Sequence, residues 1–232
     1  YLSCADTAEK LGITIRRVQQ MCKQGELPGA VKDGRTWMIP VKVVSEDLNA
    51  KKKPVPIGVS DFKATTAGYY YVDKTLLIRD FLDTKPMVSL FNRPRRFGKT
   101  LNMDMLRVFF EKTAEDTSVY FKDKQIWQCG DFYTRHQGQY PVIFLTFKDV
   151  KCLSWKETFQ KIRILISLEF MRHSELENSS VLTTYEKEQY HRLASDSATE
   201  VDCQMGLQLL SMLLHKHHGK ECIIIIDEYD TP

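Results

Sequence analysis

The segment that most constrains the fold runs from Arg93 to Thr100 and reads Arg-Pro-Arg-Arg-Phe-Gly-Lys-Thr. It follows a short apolar run at 86–91, which predicts a strand, and precedes residues 100–112, whose apolar side chains recur at helical spacing. The start of a helix concentrates partial positive charge and unpaired N–H groups, so a loop in this position suits a phosphate. The pattern predicts a phosphate-binding loop of the form G-x-x-x-x-G-K-[ST], or Walker A, with Arg93 in place of its first glycine.

Each position in this loop has an expected role. Gly98 lets the backbone approach the phosphates, Lys99 reaches the β- and γ-phosphates, and the Thr100 hydroxyl binds Mg²⁺. The expected nucleotide-binding set is Arg95, Arg96, Phe97, Gly98, Lys99 and Thr100. Arg95 and Arg96 either add charge toward a triphosphate or are solvated loop residues.

A second cluster stands near the other end of the chain. The run Ile223-Ile224-Ile225-Ile226 predicts a buried central strand, and Asp227 and Glu228 follow at its carboxyl end, where ligands bind in open α/β sheets. This is a Walker B pattern, in which Asp227 is expected to hold Mg²⁺ and Glu228 is the candidate catalytic base. Strands also end in ordinary polar turns, so the interpretation depends on the two motifs occurring together.

The rest of this part of the chain has the pattern of an α/β domain. Residues 140–147 predict a second buried strand, and further helices are predicted at 154–172, 184–194 and 199–216. Gly219 breaks the last helical pattern before the isoleucine run begins.

The first 45 residues predict a small DNA-binding module. Ser3 and Asp6 form a capping-box pattern for a first helix, and Thr14 can cap a second. Asp33-Gly34 predicts a hairpin turn between two short strands, which would serve as a wing. Since Arg and Gln read base edges and Lys neutralises phosphates, the DNA-binding candidates are Arg16, Arg17, Gln19, Gln20, Lys23, Lys32 and Arg35. A helical module that binds protein is the alternative.

The charge distribution agrees with this division. The 232 residues carry a formal net charge of +3, and the excess lies in residues 1–53, which hold ten Lys or Arg against six Asp or Glu. No apolar run approaches the ~20 residues of a membrane span and no signal-peptide pattern is present, so a soluble, cytoplasmic protein is expected. The six cysteines include no C-x-x-C pair, which argues against a zinc ribbon.

From about Ile57 onward the sequence resembles the predicted AAA-ATPase-like family of bacterial proteins. The matching segments are Gly58-Val59-Ser60-Asp61-Phe62, Tyr71-Val72-Asp73-Lys74-Thr75, residues 93–100 and Ile226-Asp227-Glu228-Tyr229-Asp230. The resemblance implies an α/β P-loop NTPase domain of the three-layer ASCE/AAA-like type, with ATP and Mg²⁺ as cofactors and arginine at position 93. It further implies a later sensor strand, so the domain is expected to be incomplete at its C-terminus. In longer forms the family commonly carries a PD-(D/E)XK nuclease-like region. A homo-oligomer is a further partner hypothesis, and the sequence leaves the oligomeric state open.

The N-terminal segment resembles excisionase and MerR-type winged helix-turn-helix domains. The matching residues include Tyr1-Leu2-Ser3, Gly25-Glu26-Leu27-Pro28 and Gly34-Arg35-Thr36-Trp37-Met38-Ile39-Pro40. The expected organisation is a winged helix-turn-helix domain at 1–50, a linker at 51–57 and an AAA-ATPase-like domain at 58–232.

Together these features predict an ATP-binding, ATP-hydrolysing P-loop protein that is coupled to a DNA-binding module and acts as a nucleotide-dependent switch or effector. Two alternatives stay open: a DNA-binding regulator whose altered P-loop binds nucleotide without turnover, and a small phosphoryl-transfer kinase. Asp73 and Lys74 either cap the helix that begins near Leu76 or contact the nucleotide base or ribose.

Overall fold

The computed structural model describes residues 1–46, 53–92, 97–195 and 197–230. Arg95 and Arg96 of the predicted nucleotide-binding set therefore lie outside the described residues. The helices and strands are α1 (Cys4–Leu11), α2 (Ile15–Gln24), β1 (Val31–Asp33), β2 (Thr36–Met38), α3 (Val41–Glu46), α4 (Phe62–Gly68), α5 (Leu76–Thr84), α6 (Lys99–Phe110), α7 (Gln125–Gln128), α8 (Asp131–Thr134), β3 (Val142–Thr146), α9 (Trp155–Arg172), α10 (Thr184–Ala194), α11 (Glu200–His218) and β4 (Ile223–Asp227). Two 3₁₀ turns lie at Thr117–Tyr120 and Ser174–Leu176.

The chain forms two compact units. One comprises Tyr1–Val55 with Gly68–Tyr70, and the other comprises Pro56–Ala67 with Tyr71–Pro232. Within the described residues, no helix is both long and apolar enough to cross a membrane.

The first unit begins with the predicted pair of capped helices. Ser3 and Asp6 form a complete capping box on α1, and the left-handed Gly12 ends that helix. Thr14 caps α2 by accepting a hydrogen bond from the backbone N–H of Arg17. Both predicted helices are thus confirmed. Their packed faces share one core with the hairpin that follows, which contains Cys4, Ala8, Val18, Met21, Cys22, Leu27, Ile39 and Val44.

The predicted hairpin is present, with its turn one residue later than expected. β1 and β2 pair antiparallel from Val31 opposite Met38 to Asp33 opposite Thr36, so the loop residues are Gly34 and Arg35. Gly34 takes a φ of +59°, which glycine adopts at little cost at the first loop position of a tight hairpin.

The second unit is built around two parallel strands. β3 pairs with β4 in register from Val142 opposite Ile223 to Thr146 opposite Asp227. Because successive side chains alternate between faces, Val142 contributes to one buried cluster and Ile143 to another. One face packs on α5, α6 and the end of the 3₁₀ turn at Thr117–Tyr120, through residues that include Ile78, Leu82, Met105, Phe109, Phe110 and Phe121. The other packs on α9, α10 and α11, through residues that include Phe170, Tyr190, Leu193, Leu210, Leu213 and Leu214.

The predicted strands at 140–147 and 223–226 and the helices at 100–112, 154–172, 184–194 and 199–216 are confirmed as elements. The prediction that 223–226 is a buried central strand is wrong for the described residues: β4 pairs with β3 alone and Ile224 is 46% exposed, because no further strand covers its other edge. The strand predicted at 86–91 is wrong: these residues form no strand, and Met87 and Val88 are 101% and 86% exposed. A strand persists only where its N–H and C=O groups pair with a neighbour. Within the described chain β4 pairs with β3 alone, so residues 86–91 have no neighbouring strand to pair with.

Candidate functional site

The predicted phosphate loop leads into α6 through a left-handed glycine. Gly98 is the N-cap residue of α6, with a φ of +74°, and its carbonyl accepts a hydrogen bond from Asn102 N–H. No side chain caps this helix start. The N–H groups of the first turn are therefore available to an anion, and the helix dipole favours one there.

Asp227 faces this helix start from the end of β4. Its side chain is 0% exposed, and its Oδ2 accepts a hydrogen bond of 2.7 Å from the Thr100 hydroxyl. The Nζ of Lys99 lies 3.8 Å from Oδ1 of the same carboxylate. The two sequence motifs, which are far apart along the chain, therefore meet around one buried acid.

Two buried oxygen atoms at this edge of the sheet have no hydrogen-bond partner among the described residues. They are Asp227 Oδ1 and Thr146 Oγ1. Since Thr146 lies directly opposite Asp227 on β3, the two side chains leave the same face of the sheet, toward α6. A buried polar atom without a partner is costly, so both oxygens suit a ligand that supplies the missing interaction.

These atoms fit a Mg²⁺ ion. Mg²⁺ prefers oxygen ligands and usually takes one or two carboxylates together with phosphate oxygens and water. Thr100 and Asp227 offer a hydroxyl and a carboxylate that already touch each other. Within the described part of the chain, no group of three or more His, Cys, Asp or Glu side chains could hold a metal ion. Thr100 and Asp227 are therefore the residues that would hold such an ion.

Two other predicted site residues directly adjoin these elements, Phe97 before the start of α6 and Glu228 after the end of β4. Phe97 directly precedes Gly98 and is 59% exposed. Glu228 is half-buried, follows the last residue of β4 and has a φ of +53°, which is uncommon for a residue with a side chain.

Asp73 proves to be an anchoring residue. Its Oδ1 accepts hydrogen bonds from the backbone N–H and the hydroxyl of Thr75, at 2.8 and 2.7 Å. Its Oδ2 accepts one of 2.7 Å from the backbone N–H of Gln125, at the start of α7. Thr75, itself fully buried, is the N-cap residue of α5 and makes no side-chain cap to that helix. Asp73 therefore fixes the turn before α5 against α7, a role that its spacing in the sequence did not reveal.

Comparison with known proteins places the sequence in a family. Residues 56–232, more than half of the chain, match the family described as Predicted AAA-ATPase. The chain belongs to this predicted AAA-ATPase family. Residues 1–50 match a second family, described as Helix-turn-helix domain.

One curated relative of this predicted AAA-ATPase is an uncharacterized protein in the vnfD 5′ region of Azotobacter chroococcum mcd 1. It is 26% identical over 183 residues, which cover 78% of the present chain and 30% of the relative. The chain thus spans less than a third of that relative's length. No solved structure gives a significant match.

The helix-turn-helix domain of this predicted AAA-ATPase exposes all of its DNA-binding candidates. α2 packs on the core through its buried residues Val18, Met21 and Cys22. The exposed residues are Arg16, Arg17, Gln19, Gln20 and Lys23 on α2, and Lys32 and Arg35 on the hairpin. Among them, Arg17 forms an ion pair of 3.5 Å with Glu26. Basic and amide side chains on one helix and an adjacent wing are the arrangement with which such domains contact the major groove and the phosphate backbone.

Proposed function

We propose that this chain binds Mg-ATP at the start of α6 and hydrolyses it, and that nucleotide binding is coupled to DNA binding by the helix-turn-helix domain. The observation that carries the proposal is the hydrogen bond from Thr100 to the buried Asp227. It joins the hydroxyl expected on Mg²⁺ to the acid expected on the same ion, while Oδ1 of Asp227 accepts no hydrogen bond from the described residues.

Each residue then has a defined task. The N–H groups at the start of α6 and the ammonium of Lys99 bind the β- and γ-phosphates, and Gly98 leaves room for them. Arg95, Arg96 and Phe97 are the further candidates for contact with the nucleotide. Thr100 and Asp227 hold Mg²⁺, which when bound neutralises charge on the phosphates.

Glu228 is the proposed general base. In hydrolysis, water oxygen forms a bond to the γ-phosphorus and the bond from that phosphorus to the bridging oxygen breaks, which releases ADP. Glu228 orients the water and accepts the proton that it loses. Its position directly after Asp227, the last residue of β4, supports this assignment.

A regulator that binds ATP without turnover is the second candidate. The left-handed backbone of Glu228 favours it, because such a conformation costs a residue with a side chain about 1 kcal/mol or more. A base carried on a strained turn is held in place only if its surroundings enforce that turn. The two candidates share the same binding site and differ in the chemical step.

Calorimetric titration with Mg-ATP tests the binding step. The wild-type chain should bind with a dissociation constant of about micromolar order, and Lys99→Ala should abolish the heat signal. Lys156→Ala, which removes an exposed lysine from α9, is the matched control and should bind as the wild type does. Equal binding by the wild type and Lys99→Ala, or no binding by the wild type, would refute the nucleotide site.

Turnover separates the two candidates. If the chain hydrolyses ATP, phosphate release should fall by about 10²-fold or more in Glu228→Gln, since general-base catalysis contributes about 10²–10⁴. Mg-ATP binding should be kept in that variant. Binding without phosphate release in the wild type would favour the regulator.

A further inference from the structure

A second lysine lies beside the phosphate loop. The Nζ of Lys74 is 3.9 Å from the position that a Cβ would take at Gly98. Lys74 is exposed, and within the described residues no carboxylate forms an ion pair with its ammonium group. The side chain thus brings an uncompensated positive charge to the start of α6, where the N–H groups already favour an anion.

The turn that carries Lys74 is held from several sides. The backbone N–H of Lys74 donates to the Tyr71 hydroxyl over 3.3 Å, and that hydroxyl donates to the sulfur of Met105 on α6. Burial raises the pKa of Tyr71 to about 12, so the phenol keeps its proton at neutral pH. Asp73 and Thr75 fix the other side, since the Thr75 hydroxyl accepts a hydrogen bond from Ile126 N–H while Asp73 binds Gln125 N–H.

The charge of Lys99 is partly committed elsewhere. Its ammonium lies 3.8 Å from the buried Asp227, which already binds Thr100. Mg-ATP brings a net charge of about −2, so a single lysine that also faces a carboxylate leaves part of the phosphate charge unpaired. Lys74 lies beside the same glycine and can supply a second positive charge there.

We propose that Lys74 is a second phosphate-binding residue, which contacts the phosphate chain of a nucleoside polyphosphate at the start of α6. This rests on the proposed function, because it adds a residue to the same site. A lysine ammonium has three donors and no acceptor, so it suits phosphate oxygens, and it lies next to the glycine that the phosphates approach. A second observation points to a ligand at this helix start: the buried Asp227 Oδ1, which faces Lys99, has no hydrogen-bond partner among the described residues.

The test compares two ligands across the wild type and three variants, with a fourth variant as the control. Mg-ATP and Mg-tripolyphosphate, which lacks base and ribose, are titrated into the wild type, Lys74→Met, Lys74→Arg and Lys99→Ala. Lys74→Met should weaken both ligands by about tenfold, the value of one charge-assisted hydrogen bond. Lys74→Arg should keep most of the affinity, because it keeps the charge. Lys156→Ala is again the control, and urea unfolding should give Lys74→Met the wild-type midpoint.

The outcomes separate the two claims. Loss of affinity for both ligands in Lys74→Met supports a phosphate contact. Loss with Mg-ATP alone would assign Lys74 to the base or ribose and overturn the inference. Wild-type affinity in Lys74→Met together with no binding in Lys99→Ala would also overturn it, while the proposed function stands. If the wild type binds neither ligand, the proposed function fails and the inference fails with it.

Discussion

The Thr100 hydroxyl donates to Oδ2 of Asp227 over 2.7 Å and so joins two residues that are 127 positions apart in the sequence. The bond ties the first turn of α6 to the end of β4, at the carboxyl edge of the sheet. Asp227 has no exposure to solvent, so the contact lies in a region where losing a partner is expensive. The Thr100 hydroxyl and the Asp227 carboxylate are also the groups expected to bind Mg²⁺. The contact therefore contributes to folding and forms part of the proposed site.

Replacing Thr100 separates these two roles. Thr100→Ala leaves Oδ2 of the buried Asp227 without its donor, so the free energy of unfolding should fall by about 1–3 kcal/mol in urea denaturation without nucleotide. Thr100→Ser keeps the hydroxyl and should lose less than half as much. Equal stability of Thr100→Ala and the wild type would show that the bond contributes nothing to folding.

Gly98 provides a second separation of stability from binding. Gly98 has a φ of +74° and Gly219, which ends α11, has a φ of +63°. Alanine at either position costs about 1–2 kcal/mol, because a Cβ disfavours the left-handed region. Both variants should therefore lower the unfolding midpoint. Only Gly98→Ala should weaken Mg-ATP binding, since its Cβ would occupy space beside Lys74 Nζ that the phosphates are proposed to enter. Weakened binding in Gly219→Ala would show that the effect is one of general destabilisation.

Local sequence signals predicted the helices well. Ser3 with Asp6 and Thr14 satisfy N–H groups within one turn, and the helix starts depend on nothing more distant. The isoleucine run of β4 was likewise recognisable as a strand, because branched apolar residues favour strands, but its burial was not: Ile224 is 46% exposed.

What the sequence could not predict depends on partners far along the chain. Residues 86–91 have strand-like composition, but composition does not supply the neighbouring strand that their backbone groups need. Within the site, the meeting of Thr100 with Asp227 was foreseeable from the two motifs. The hydrogen bond from Gln125 N–H to Asp73 and the approach of Lys74 to Gly98 were not foreseeable, since neither pair has a sequence spacing that indicates a contact.

The wing of the helix-turn-helix domain allows a test of DNA binding that needs no known target sequence. Lys32 lies on the exposed hairpin, whereas Lys10 is an equally exposed lysine on α1. If Lys32 contacts a DNA phosphate, Lys32→Ala should lower affinity for duplexes of any sequence. It should also reduce the slope of log K against log salt concentration by about 0.9. Fluorescence anisotropy over a range of salt concentrations measures both, and Lys10→Ala should match the wild type. A slope unchanged in Lys32→Ala would remove this residue from the DNA contact.

A buried charge network covers the free edge of β3. Glu169 accepts a hydrogen bond of 2.8 Å from Phe144 N–H, and the carbonyl of Val142 accepts from Arg172 and His173. Burial alone would raise the pKa of Glu169, but hydrogen bonds from Arg172 and His173 outweigh it and lower the pKa to about 2. Burial likewise disfavours charged His173, yet its carboxylate neighbours, Glu169 and Glu175, raise its pKa above the ordinary 6.5. The network thus satisfies strand groups that would otherwise be open to another chain.

These opposite pKa shifts predict a free energy of unfolding that is largest at mildly acidic pH and falls toward both lower and higher pH. Glu169 contributes stability above its ordinary pKa of 4.5, and this is lost as the pH falls from there toward 2. His173 contributes stability below pH 6.5, and this is lost as the pH rises through its raised pKa. Urea unfolding from pH 3 to pH 9 should therefore show two declining limbs.

Variants assign each limb to its residue. Glu169→Gln should lower stability at pH 6 by about 3 kcal/mol, because it breaks a buried pair, and should flatten the acid limb. His173→Gln should flatten the decline above pH 6.5 and leave most of the acid limb, which then reflects Glu169 and Glu175. Glu188→Gln, which changes an exposed carboxylate on α10, is the control and should follow the wild-type curve. An acid limb that is equally steep in Glu169→Gln and the wild type would show that ionisation of Glu169 contributes no stability to the folded protein.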